Sequence, residues 1–174
     1  MILKYPQEKD KLSQLKAGDI VEFEGVIYTA RDAAHKRIKE YLEQGKELPV
    51  DFKDSFIYYA GPTPTKPGHV IGSIGPTTSS RMDPYADMMK DLGVVGTIGK
   101  GPRSEECTEK YIENHLLYFV TTGGCGALLS KAVQEAKEIA FLDLGPESIK
   151  RLYVKGFKMI VAIDYHKNNL FKGR

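Results

Sequence analysis

The chain has no tryptophan, only two cysteines, no long apolar run and almost no excess of charge. Each shortage removes a class of explanation. Without an apolar stretch of about twenty residues, no membrane-spanning helix is expected. Cys107 and Cys125 are read as free thiols or a single pair; they do not form a CxxC. Two cysteines cannot by themselves supply the usual ligand set of an iron–sulfur cluster. The 25 basic and 23 acidic residues are mixed along the chain and leave a net charge of +2, which carries no nucleic-acid or membrane signature. The N-terminus, MILKYPQEKDKL, lacks the apolar core of a secretory signal, so a cytoplasmic protein is expected. His35, His69, His115 and His166 have no neighbours at metal-ligand spacing such as HExxH, and all four read as structural. GxxxxGK[ST], GxGxxG followed by an acidic partner and GxSxG are all missing. Nucleotide binding and serine hydrolysis are therefore not favoured.

What is present suits one α/β domain over residues 1–174. Its 174 residues and 41% apolar content are enough for a real core. Residues 1–17 are polar, and 1–14 are expected to pack loosely. Alternation over residues 20–23 and 26–29, around Glu24-Gly25, reads as two short strands joined by a tight turn. Thr29 and Asp32 stand at capping-box-like spacing before a helix over residues 32–43, closed by Gly45. Ala33, Ala34, Ile38, Tyr41 and Leu42 form its apolar stripe. Strands are expected at residues 56–60, 69–73, 94–98, 116–120, 138–142, 149–154 and 159–164. Ser104 is a suitable N-cap for a helix that opens on Glu105 and Glu106.

The most informative stretch is GPTTSSRMD, residues 75–83. Asp83 and Pro84 suit the cap and first position of a helix over residues 85–92, which would aim free N–H groups and the positive end of a dipole at the loop. Arg81 adds a planar cation suited to a carboxylate or phosphate. The same plan recurs: strand, polar or glycine-containing loop, cation, helix start. The three cations are Arg31, Arg81 and Lys100. In open α/β sheets, ligands bind beyond the carboxyl ends of the strands, so three such loops at one edge would hold a small polyanion. Bidentate arginine–carboxylate contacts are the strong kind, and a dicarboxylate needs about two such clamps. The glycine loop at residues 121–126, TTGGCG, is a candidate fourth wall.

Five motifs then occur in order: TARDAAH, VIGSIGPTTSSRMDPY, VGTIGKGPRS, YFVTTGGCGALLSK and VAIDYHKNNLF. Together they resemble the β-subunit, or C-terminal domain, of class I fumarases and the related L(+)-tartrate dehydratases, over nearly the whole chain from about Leu15. The resemblance implies a swivelling β/β/α domain with a mixed sheet and helices. It implies a hydro-lyase that interconverts fumarate and (S)-malate only together with an α-subunit, in an assembly of two of each chain. It also implies a [4Fe–4S] cluster bound by three cysteines of that α-subunit rather than by this chain. Matched motif to motif, Arg31, Arg81 and Lys100 fall on substrate-carboxylate binders and Thr77 on the proposed base for the C3 proton of malate. Ser80 stands where fumarase motifs often have glycine. RDAAH, RMDPY and GGCGALL look closer to the fumarase versions than to the tartrate ones. A tartrate dehydratase subunit is the nearest alternative. A non-catalytic small-anion-binding domain is the alternative from another class.

Overall fold

A computed structural model describes residues 1–172. Seven strands are joined in one sheet, in the order β1-β2-β3-β4-β5-β7-β6, with β7 (Ile149–Ile163) also pairing with β2 (Ile20–Thr29). That extra pairing closes β2, β3 (Phe56–Tyr58), β4 (Gly96–Gly99), β5 (Leu117–Val120) and β7 on themselves. From β1 (Ile2–Lys4) to β5 every step is parallel, so those strands share one carboxyl edge. β6 (Val133–Ala140) and β7 run antiparallel to their neighbours.

The closed sheet has a core on each face. Phe56, Tyr58, Ile98, Leu117 and Phe119 point to one, with Phe23, Leu152, Val154 and Phe157. Ile57, Tyr59, Tyr118 and Val120 point to the other. There they meet α1 (Asp32–Glu43), α2 (Ala86–Asp91) and α3 (Glu105–Glu113) through Ala34, Ile38, Met89 and Tyr111. Side chains alternate faces along a strand. Burial of both faces explains why β3, β4 and β5 lack an apolar/polar alternation; Thr97 of β4 is the one polar residue among them besides the tyrosines, and it is buried too.

Several expectations are corrected. Residues 1–14 are not loosely packed: β1 pairs with β2, and Leu3, Tyr5 and Leu12 are buried, as is Leu15 just beyond. The two strands around Gly25 are one ten-residue strand, because β2 runs straight on through Glu24-Gly25 along β7; the register shift there is taken up by an extra residue of β7, at Lys155-Gly156. Likewise the strands at 149–154 and 159–164 are the single β7. No strand forms at residues 69–73. The helix at Asp32–Glu43 has the expected limits, but Leu42 is exposed and His35 takes the buried place. No helix among the described residues is long and apolar enough to cross a membrane.

Candidate active site

The carboxyl edge of the parallel strands gathers the loops that carry the four candidate residues. β2 runs out into Ala30, whose N–H donates to Tyr58 O (3.0 Å), and then into Arg31 at the start of α1. The loop from Ile74 crosses the ends of β3 and β4. Thr77 N donates to Tyr59 O (2.6 Å), Thr78 forms a bridge with Lys100, and Ser79 N donates to Lys100 O (3.0 Å). The glycine loop after β5 closes the far side: Ile74 N donates to Gly126 O (3.1 Å), and Gly123 lies against the aliphatic stem of Lys100. Arg31, Thr77, Arg81 and Lys100, far apart in the chain, therefore belong to loops at one edge.

The local reason for the polar loop's shape differs from the one its sequence suggests. Asp83 does not cap a helix. Residues Ser79–Tyr85 are themselves a 3-10 segment, and α2 begins only at Ala86, with Tyr85 at its N-cap. The helix expected to open at Pro84 thus starts two residues later, and a 3-10 segment stands between it and the loop. Asp83 instead pairs with Arg103 through Oδ1 and accepts from Ser104 N through Oδ2 (2.8 Å). Ser104 does cap α3, accepting from Cys107 N at 3.1 Å. Thr29 takes no part in capping α1. Its hydroxyl accepts from Lys150 N, while Glu147 accepts from Ala33 N (3.3 Å) at the helix start.

Both arginines already face carboxylates of their own chain. Arg81, 53% exposed, donates from Nε to Asp32 Oδ1 (3.2 Å), while its Nη2 lies 2.8 Å from Asp32 Oδ2 as a charge contact without hydrogen-bond geometry. Asp32 takes one edge of the guanidinium fork, which leaves the Nη1/Nη2 edge for a second carboxylate. Arg31 Nε is 3.8 Å from Glu147 Oε1, a charge contact too long for a hydrogen bond, and that buried Nε has no hydrogen-bond partner among the described residues. Arg31 passes over Gly61, where an added methyl would stand 2.9 Å from Nη1. His35 lies beneath, wholly buried, with Nδ1 2.8 Å from Arg31 O. A carbonyl only accepts, so Nδ1 carries the proton. Burial lowers the imidazole to about 4, despite the opposing effect of the Arg31 carbonyl, so the ring is neutral near pH 7.

Arg103 is the residue that sequence reading passed over. Its side chain is 0% exposed. Nη1 donates to the hydroxyls of Tyr59 and Tyr111, each at 3.2 Å, and the guanidinium carbon lies 4.9–5.4 Å from the rings of Tyr59, Tyr111 and Tyr118. Its only sequence signal is its place beside Ser104 after the glycine turn. Above it, Ser79 Oγ accepts from Lys100 N (3.0 Å) and lies 2.8 Å from Tyr118 Oη, which donates to Gly101 O (2.6 Å). Gly99 makes this seat possible, since a Cβ there would sit 1.9 Å from Ser79 Oγ.

The cysteines do not make a metal centre. Cys107 is buried on α3, and burial pushes its thiol up to about 12; Cys125 precedes the short α4 (Gly126–Ser130) in the glycine loop. Among the described residues no group of three or more His, Cys, Asp or Glu could hold a metal ion. A cleft of about 580 Å³ opens between residues 62–71 and the β6–β7 region, but none of the four candidate residues lines it. They lie along an open edge.

The fumarase C-terminus family model matches residues 1–174. The chain belongs to the fumarase C-terminus family. It is 41% identical over 170 residues to a Methanocaldococcus jannaschii protein provisionally named L(+)-tartrate dehydratase subunit beta, covering 94% of this chain and 87% of that protein. It is 37% identical over 173 residues to fumarate hydratase 2 of Leishmania major and 35% over 164 residues to the anaerobic class I fumarate hydratase of Escherichia coli K12. Those alignments cover 97% and 93% of this chain, but only 30% of each hydratase. This fumarase C-terminus chain therefore matches the tartrate relative over most of its length and the two hydratases over less than a third of theirs. Its relatives are hydro-lyases by name.

Proposed function

We propose that this chain is the β-type subunit of a hydro-lyase that interconverts fumarate and (S)-malate, active only with an α-type subunit. The observation that carries the reading is the convergence of Arg31, Arg81, Lys100 and Thr77 on one sheet edge in a member of this family. Three cations suit the two carboxylates of a C4 acid. An edge that leaves Arg81 half exposed also suits a site completed by another protein surface. That partner would carry a [4Fe–4S] cluster, whose open iron supplies Lewis-acid chemistry at the departing hydroxyl.

This chain's share of the reaction is binding and proton transfer. Arg81 would hold one carboxylate through its Nη1/Nη2 edge, and Arg31 and Lys100 the other end. Thr77 would take the C3 proton of malate as the C2 hydroxyl leaves, and a proton passed on to that departing hydroxide would complete fumarate and water. A threonine hydroxyl is a poor base at neutral pH, so it needs nearby positive charge to favour an alkoxide-like state. The same arginines stabilise the extra negative charge that develops on the substrate carboxylate. The backbone of Thr77 is held by Tyr59 O, which fixes where the hydroxyl starts from.

A second reading is an L(+)-tartrate dehydratase subunit, favoured by the 41% identity to a relative of that name and similar length. The deciding experiment is anaerobic assembly of the chain with its α-type partner and iron, followed by assays on fumarate, malate and tartrate. Turnover of fumarate and malate supports the first reading; turnover of tartrate alone replaces it with the second. Hydratase activity of the isolated chain would refute both.

A further inference from the structure

A fully buried arginine is a poor way to gain stability, because desolvating a charge costs several kcal/mol and a well-packed apolar side chain often does as well. Arg103 is therefore best understood through what it holds. Its carboxylate partner, Asp83, lies in the same 3-10 segment as Arg81, two residues later. The other oxygen of Asp83 is fixed by Ser104 N, so one carboxylate fastens the segment to residues 103–104. At the opposite end of the segment, Ser79 exchanges hydrogen bonds with both the N–H and the C=O of Lys100. The segment bearing Arg81 is thus tied at both ends to the segment running from Lys100 to Ser104. Tyr59 extends the system: its hydroxyl accepts from Arg103 and its carbonyl accepts from Thr77 N. Tyr118 contacts the guanidinium with its ring and Ser79 with its hydroxyl. Arg103 has no exposed side-chain atom with which to meet a substrate, yet it belongs to the segment of Lys100 and grips the segment of Arg81 directly through Asp83.

We infer that Arg103 is a positioning residue that sets the spacing between Arg81 and Lys100 from beneath the site. Lysine cannot replace it: a point charge on a flexible stem cannot meet Asp83 and two tyrosine hydroxyls at once, or lie flat among three rings. The inference rests on the dicarboxylate reading for its functional consequence, but its geometric content stands without that reading.

The test uses two variants, Arg103→Lys and Asp83→Asn, each in the full chain. The first readout is amide hydrogen exchange, which reports local opening. The amides of Ser79 and Lys100 should exchange at least about tenfold faster, while those of β2 and β7 keep their protection. The second readout is steady-state kinetics of the chain assembled with its α-type partner. KM for malate should rise about tenfold, with a smaller loss in kcat, because a misplaced clamp weakens binding first. Unchanged exchange at Ser79 and Lys100 in a folded variant would overturn the inference. So would a loss of kcat at unchanged KM. Global unfolding of both variants would make Arg103 a support for the entire fold and would also overturn it. If the wild-type assembly turns over no C4 dicarboxylate, the functional reading fails while the exchange data still decide the positioning role.

Discussion

The two arginines at the site edge are held in opposite ways. Arg31 is set by backbone: it follows a ten-residue strand that pairs with β7 along most of its length, and it is the N-cap of α1. Among the described residues its side chain meets a carboxylate only through the long contact to Glu147, and both partners are roughly a third exposed. Arg81 has no such frame. It rides on an irregular 3-10 segment whose fixation comes from buried side chains, through Asp83 to Arg103 and through Ser79 to Lys100. A site can thus be positioned by hydrogen-bonded ladders or by a polar network beneath it. The two should fail differently. A ladder is insensitive to one surface substitution, whereas a network is only as good as its least satisfied member.

The strongest disturbance of the site removes chemistry rather than position. Thr77→Ala should lower kcat by about 10²–10⁴-fold, the usual range for a group that moves a proton. The partner complex should still assemble, and a near-normal kcat would exclude Thr77 as the base. Arg81→Lys should lower kcat/KM by about ten- to a hundredfold, from loss of a charge-assisted fork worth about 1.5–3 kcal/mol. Unchanged kinetics would remove Arg81 from the clamp. Gly99→Ala attacks the network from the backbone side. Its methyl would overlap Ser79 Oγ, so the seat of Ser79 must shift, at a cost of about 1–3 kcal/mol in denaturant unfolding.

How far these features could be read from sequence follows the same division. The α/β class, the limits of α1 and the cap at Ser104 were legible, because each is announced by a local pattern. The long strands were not. Glu24-Gly25 looks like a turn when read alone, and only pairing with a strand about 130 residues away keeps it extended. Asp83-Pro84 looks like a helix start, but Asp83 is engaged by Arg103 and Ser104 N within a 3-10 segment that opens at Ser79, and α2 follows only at Ala86. The sparse apolar residues of 1–17 proved to be anchors, since Leu3, Leu12 and Leu15 are all buried. Arg103 itself was illegible. Its meaning comes from Tyr59, Tyr111 and Tyr118 on three different elements or their ends, and no spacing in the sequence links them.

The Arg31 side has its own sensitivity, and it lies in acid. The folded-state value of His35, about 4, is below its ordinary 6.5. Between those values the unfolded chain binds more protons than the folded one, so stability rises with pH there. The contribution is complete above about pH 6.5 and is lost as pH falls toward 4, by about 3 kcal/mol in all at 1.36 kcal/mol per unit. Denaturant unfolding across that window should show the slope. His35→Asn, whose amide can still donate to Arg31 O, should flatten it; an unchanged slope would assign the acid sensitivity to other groups.

The smallest expected effect tests the comparison most directly. Glu147→Gln removes the charge facing Arg31 but keeps an oxygen for Ala33 N. Partly exposed ion pairs contribute about 0–1 kcal/mol, and a 3.8 Å contact belongs at the low end. Stability should change by less than about 0.5 kcal/mol and KM by less than about threefold. If the backbone alone sets Arg31, nothing more is lost. A KM increase as large as that expected for Asp83→Asn would mean that Arg31 also depends on a side-chain partner, and the contrast between a ladder-held and a network-held arginine would fall.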